Sequence, residues 1–178
     1  SDMNLSHFSE LGRTGGELSN PNIYSLFQDG KYVWIGTIDG LDILSFAPFE
    51  LFNERNSGIS NDVLAFEEDE DGRLWIGTYD GLYLFNRSTS THSKFEGNTP
   101  SAIVDQRVAT IAARKNTLWL GLIQGGVKLI DTITGEQKTK EITNDAGGAI
   151  TKILAAGESN DILIATYDQG LFRITDNN

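Results

Sequence analysis

Four copies of one short phrase constrain what this chain can fold into. Val33-Trp34-Ile35-Gly36-Thr37-Ile38-Asp39-Gly40-Leu41 recurs as Leu74-Trp75-Ile76-Gly77-Thr78-Tyr79-Asp80-Gly81-Leu82. A looser copy runs from Leu118 to Val127, and a fourth reads Ile162-Leu163-Ile164-Ala165-Thr166-Tyr167-Asp168-Gln169-Gly170-Leu171. The tryptophan place falls at Trp34, Trp75, Trp119 and Leu163, at intervals of 41, 44 and 44 residues. A repeat of that length, built of short apolar runs and Asp-Gly turns, is the signature of a propeller blade. The spacing predicts an all-β chain: a β-propeller of four four-stranded antiparallel blades. The blades cover approximately residues 18–57, 58–100, 101–144 and 145–178 of one domain spanning 1–178.

The second unit shows the grammar most clearly. Val63–Glu67 reads as a first strand and Arg73–Thr78 as a second, with Gly72 free to turn the chain between them. Tyr79-Asp80-Gly81 is a tight hairpin turn, followed by strands at Leu82–Phe85 and His92–Glu96. The other first strands are Ile23–Phe27, Val108–Ala112 and Ile150–Leu154. Second strands are near-continuous apolar runs, as expected of sheets covered on both faces by neighbouring blades. Polarity rises toward the fourth strands, from axis to rim. The tryptophans are expected to pack between blades, where burying one removes roughly 200 Å² from water, worth up to about 5 kcal/mol. The glycines two residues on (Gly36, Gly77, Gly121, with Ala165 in the fourth copy) are expected to keep space where adjacent sheets approach closely.

The fourth unit ends after its third strand, and residues 4–9 (Leu5–Ser9 at their centre) read as a spare outer strand that could complete it. Two open blade faces would expose about 600 Å² of side surface, at the upper limit for a soluble monomer. Closure is expected by one of two routes. The chain forms a four-bladed ring by itself, or it forms half of an eight-bladed ring in a homodimer, which the small size of a four-bladed ring favours.

Composition narrows the chemistry. Twenty-five acids against fourteen bases give a net charge of −11, which repels phosphate backbones and argues against nucleic-acid partners. No apolar run approaches the roughly 18 residues of a spanning helix, so membrane contact by this segment is not expected, nor does a signal peptide open the chain. With no cysteines there is no disulfide, thiolate metal site or cysteine nucleophile. His7 and His92 both fall on expected outer strands, where they should be solvated, and neither has a partner at metal spacing. The acidic run Glu67–Asp71 echoes the start of a calcium loop but lacks its later ligands, so it reads as a solvated turn. No nucleophile elbow or phosphate loop is present. Neither a catalytic residue, a metal site nor a cofactor is expected.

Binding is expected instead at the mouth of the central channel, where two sets of loops should meet. One set is the turns between second and third strands, carrying Asp39, Tyr79, Asp80, Tyr167 and Asp168. The other is the links entering first strands, among which Arg107 has no basic counterpart in the other units. The tyrosines offer faces for sugar rings and Arg107 suits a ligand carboxylate, although aspartate before glycine also serves a tight turn for its own sake.

The wording of the repeats is specific. Asn22–Asp29 followed by Val33–Leu41, and Asn61-Asp62-Val63 through Asp71–Tyr83, resemble the two-component regulator propeller repeat. The resemblance runs from Leu18 to Ile174, with Leu122, Leu163 and Ala165 as departures. It implies the extracytoplasmic, periplasmic sensing part of a membrane-anchored bacterial receptor with histidine-kinase, response-regulator or diguanylate-cyclase output. Many relatives detect carbohydrate fragments, and their arrays are usually larger, so the chain is expected to be a fragment or a short member. The resulting expectation is a non-catalytic ligand-sensing module with a small-molecule or oligosaccharide ligand. A protein-interaction scaffold is the alternative, and a propeller lyase or hydrolase a remote one.

Overall fold

The structure is a computed structural model that describes residues 18–30, 32–44, 50–97, 106–140, 148–156 and 161–175. The described residues form fifteen strands in four small antiparallel sheets, and contain no helix long and apolar enough to cross a membrane. The chain divides into two compact units, residues 1–63 and 64–178.

In the first unit β1 (Ile23–Asp29), β2 (Tyr32–Thr37), β3 (Gly40–Leu44) and β4 (Glu50–Phe52) pair in sequence order. Trp34, Ile35, Leu41 and Ile43 are buried. So is Asp42, whose carboxylate accepts from the Ser19 backbone N–H at 3.0 Å and the Ser19 hydroxyl at 2.8 Å. Burial pushes the Asp42 carboxyl above its ordinary range, against the pull of the two Ser19 bonds.

The second unit holds the remaining sheets. β5 (Val63–Glu68), which starts at the unit boundary, leads into β6 (Leu74–Thr78), β7 (Gly81–Asn86) and β8 (Thr91–Lys94). The next sheet is β9 (Val108–Arg114), β10 (Thr117–Leu122), β11 (Val127–Asp131) and β12 (Gln137–Lys140). The last is β13 (Ile150–Ala156), β14 (Asp161–Thr166) and β15 (Leu171–Ile174), three strands among the described residues. The spare strand expected at residues 4–9, with His7, lies outside the described residues. Sheets stack through their first strands, β9 lying against both β6 and β13. Trp75, Leu82, Val108, Ile111 and Leu120 share one core, and Ala112, Val127, Ile150, Ile153 and Ile164 the next.

The glycine expectation holds at atomic detail. A Cβ on Gly77 would lie 2.9 Å from Val108 Cγ1 and 3.0 Å from the Val108 carbonyl. One on Gly121 would lie 2.9 Å from Ile150 Cβ, and one on Gly36 would lie 2.7 Å from the Val63 carbonyl. In each case the first residue of the following first strand is among the intruders, joined by Ser25 at Gly36 and Thr110 at Gly121.

The hairpin turns are tied by threonine. The Asp39, Asp80 and Gln169 backbone N–H groups donate to the hydroxyls of Thr37, Thr78 and Thr166 at 3.2, 3.3 and 3.0 Å. Each hydroxyl in turn reaches a glycine carbonyl, Gly40 at 3.2 Å, Gly81 at 3.0 Å and Gly170 at 3.0 Å. The third copy has Leu122 where the threonine stands. Its turn closes through backbone alone, with Gly125 and Gly126 at φ +95° and +87°.

His92 departs from expectation. It is half-buried on β8, with its ring 5.9 Å from that of Tyr83 in an edge contact, because β8 pairs directly with β7.

Gly77→Ala should destabilise the fold by about 1–3 kcal/mol, the usual cost of overpacking. Urea unfolding followed by tryptophan fluorescence measures it. An unchanged midpoint would mean that β9 can withdraw from β6 freely.

Candidate functional site

The two sets of loops do meet. Backbone N–H groups of the second-to-third-strand turns donate to carbonyls of the links entering first strands: Ile38 to Asn22 at 3.4 Å, Ile123 to Arg107 at 3.0 Å, and Tyr167 to Ala149 at 2.9 Å. These bonds tie the loop ends of the first, third and fourth sheets, the ordinary setting for binding residues.

The six candidate residues divide by what they touch. Tyr79 and Arg107 come together, with the guanidinium 5.1 Å from the ring centroid in a cation–π stack. Tyr79 keeps 40% of its surface open and Arg107 is exposed. Asp80 is turned back into its own sheet. Its carboxylate accepts from the Thr78 hydroxyl at 2.7 Å, the Tyr83 hydroxyl at 3.0 Å and the Lys94 ammonium at 3.4 Å. Burial raises the Asp80 carboxyl, but Thr78, Tyr83 and Lys94 outweigh it and hold it below the ordinary range. Asp39, in the first unit, accepts from the Asn20 amide at 2.9 Å. Tyr167 is 84% exposed, and Asp168 beside it lies against Gly148. Tyr79 with Arg107 is thus the pair that the structure assembles into an open platform. Asp80 is a structural member beneath it.

The acidic run is not a solvated turn. Asp69 is buried and gathers four donors: the Asp71 and Arg73 backbone N–H groups at 3.1 and 2.9 Å, Arg73 Nε at 2.7 Å, and Trp75 Nε1 at 2.8 Å. Arg73 also stacks over the Trp75 ring at 5.8 Å, and Phe95 meets that ring edge-on at 5.3 Å. Glu67 and Glu70 accept from the backbone N–H groups of Ala113 and Lys115 at 2.9 and 3.0 Å, stapling this turn to the next sheet. Glu68 pairs with Arg87 at 2.9 Å and Asp71 with Arg73 at 2.9 Å. Every carboxylate of the run is engaged by protein donors. No group of three or more potential metal ligands occurs among the described residues.

Residues 17–39 and 57–80 match the two component regulator propeller family. The two matched stretches fall on the first and second copies of the repeat. Its fold is similar to that of extracellular domains from two Bacteroides thetaiotaomicron proteins described as hybrid two component systems. For BT4673 the TM-score is 0.75 at 19% identity over 94% of this chain and 22% of that one. For BT3049 the TM-score is 0.73 at 22% identity over 96% and 23%. The chain therefore spans less than a quarter of either domain. The computationally designed Ika4 protein is similar over its whole length, with a TM-score of 0.65, 17% identity and 94% of this chain covered. No curated protein matches the sequence. These likenesses establish the propeller fold for the repeats.

Two opposing effects act on Asp69. Burial raises its carboxyl, while Trp75 and Arg73 together lower it below the ordinary range. A depressed value in the folded state means stability that is present above the ordinary carboxylate range and lost as pH falls through the folded value. Asp69→Asn should therefore lower stability by about 1–3 kcal/mol at neutral pH. The gap between variant and parent should close as the parent is acidified below about pH 4. A gap independent of pH would show that shape, not charge, holds the turn.

Proposed function

We propose that this chain is a non-catalytic, ligand-sensing propeller module from the extracytoplasmic part of a membrane-anchored bacterial signal-transduction receptor. The observation that carries the reading is the Tyr79–Arg107 platform, open to solvent at the loop end of a rigid sheet and made by two residues 28 positions apart in sequence. An aromatic face with a guanidinium beside it suits the apolar face and oxygen atoms of a sugar ring. The match to regulator propeller repeats and the fold shared with extracellular sensor domains support the receptor setting.

A second copy of this chain is the proposed structural partner. Ile23 occupies the same repeat position as Val63, Val108 and Ile150, yet it is 43% exposed while those three are buried. Each of those three sits over the glycine of the preceding second strand. Ala165 holds the corresponding place in the fourth copy and is the residue proposed to face Ile23 of the partner. Tyr24 and Leu26 on β1 are exposed with Ile23, giving that face the apolar character of an interface.

Thermal-shift and calorimetric titration with a panel of neutral oligosaccharides tests the sensing role. A shift lost in Tyr79→Ala and in Arg107→Ala, with both variants folded, supports it; a flat response across the panel removes it. Light scattering tests the pairing. A mass of two chains, reduced to one by Ile23→Asp, is expected, and a monomer at about 50 μM would overturn it.

A further inference from the structure

The strongest departure from the repeat surrounds Trp119. In the second sheet the equivalent Trp75 is only 1% exposed, sealed by Asp69 on its ring nitrogen and Phe95 on its edge. Strand register identifies what the third sheet has in those two places. The Asp69 N–H bonds to the Arg73 carbonyl two residues before Trp75, and the residue paired two places before Trp119 is Arg114. The Phe95 N–H bonds to the Leu82 carbonyl, and the residue paired with the corresponding Val127 is Lys140. Carboxylate and phenyl ring have thus both been replaced by cations. Trp119 is half-buried as a result, and a cleft of about 360 Å³ opens over it. Leu129 and Ile174 line the apolar side, and Arg114, Lys115 and Lys140 the polar side. That volume lies in the range of small-molecule sites, about 300–1,000 Å³.

Loss of a seal alone would leave a void lined by whatever side chains remained. Arg114, Lys115 and Lys140 line one cleft over the half-buried Trp119, in a chain of net charge −11. Long-range attraction from the rest of the molecule does not favour an anion, so the cleft itself must supply the attraction. We propose that the Trp119 cleft binds a carboxylated ring: the ring lies on the indole and the carboxylate is taken by the Arg114–Lys115–Lys140 cluster. A uronate sugar and an aromatic acid share this chemistry, an apolar face with one negative charge. The site is separate from the Tyr79–Arg107 platform and does not depend on it.

The test uses trigalacturonate, its fully methyl-esterified counterpart and indole-3-acetate as probes, with binding read by calorimetry and tryptophan fluorescence. Binding of trigalacturonate, but not of the ester, is expected for a sugar acid; binding of indole-3-acetate alone assigns the cleft to aromatic acids. Affinity should fall between about 50 and 500 mM NaCl. The double variant Lys115→Glu, Lys140→Glu, at exposed positions, should weaken binding by about tenfold or more. Lys140→Phe, which restores the second sheet's seal, should abolish binding while leaving the fold as stable as the parent or more so. Trp119→Leu uses the residue of the fourth copy and should remove the fluorescence response. Equal affinity for acid and ester, binding that survives Lys140→Phe, or no binding by either acid would each overturn the proposal.

Discussion

The close approach of each first strand onto the glycine of the preceding second strand is the constraint on which the rest of the structure depends. At Gly77 and Gly121 the space a methyl group would need is already occupied by Val108 and Ile150. Sheets brought this near bury both faces of the second strand: every residue of β6 is buried, and its one polar side chain, Thr78, is hydrogen-bonded within the turn. They also leave little room for charged side chains, so the carboxylates that do enter are fully engaged. Asp69 meets four donors and Asp42 two. Burial raises both carboxyls; at Asp69 the Trp75 and Arg73 bonds and the Arg73 charge outweigh it, whereas at Asp42 burial, aided by the Asp39 charge, outweighs the two Ser19 bonds.

Turn chemistry is the second constraint, and it explains how the copies drift. In three of the four turns a threonine hydroxyl accepts a backbone N–H of the turn and lies within hydrogen-bond distance of its glycine carbonyl, Thr78 sharing its one proton with Asp80. Where Leu122 stands instead, two consecutive glycines at positive φ do the same work with backbone alone. The Asp-Gly pair is therefore only half of the device. Asp80 contributes less to the turn than to the packing beneath it, through Tyr83 and Lys94.

Much of the fold was legible because propeller packing repeats, and a repeated contact leaves a repeated residue. Trp34 and Trp75, the glycines and the strand positions all carry that mark. The meeting of the turns with the links into first strands was legible for the same reason. What was hidden is what occurs once. The inward turn of Asp69 cannot be read from an acidic run, since five neighbouring carboxylates look alike until register decides which one faces Trp75 and which staple Ala113 and Lys115. The stack of Arg107 on Tyr79 joins two sheets, and only the absence of another basic residue in the equivalent links pointed to it. For His92 rim position does not mean exposure, because direct pairing of β8 with β7 sets its ring against Tyr83.

Repetition also offers a way to separate structural residues from functional ones within a single chain. A tryptophan retained at the same blade position is accounted for by packing so long as its seals are retained with it. At Trp75 they are, and the side chain needs no further explanation. At Trp119 the ring persists while the acceptor and the aromatic cover have both become cations. The indole's inner side packs on the core that holds Ile153 and Ile162, and its outer side faces the cleft. Leucine at position 163 shows that the fold accepts a smaller side chain at this place in a neighbouring sheet. The indole's outer side, bordered by Arg114, Lys115 and Lys140, is where the proposed anion would sit.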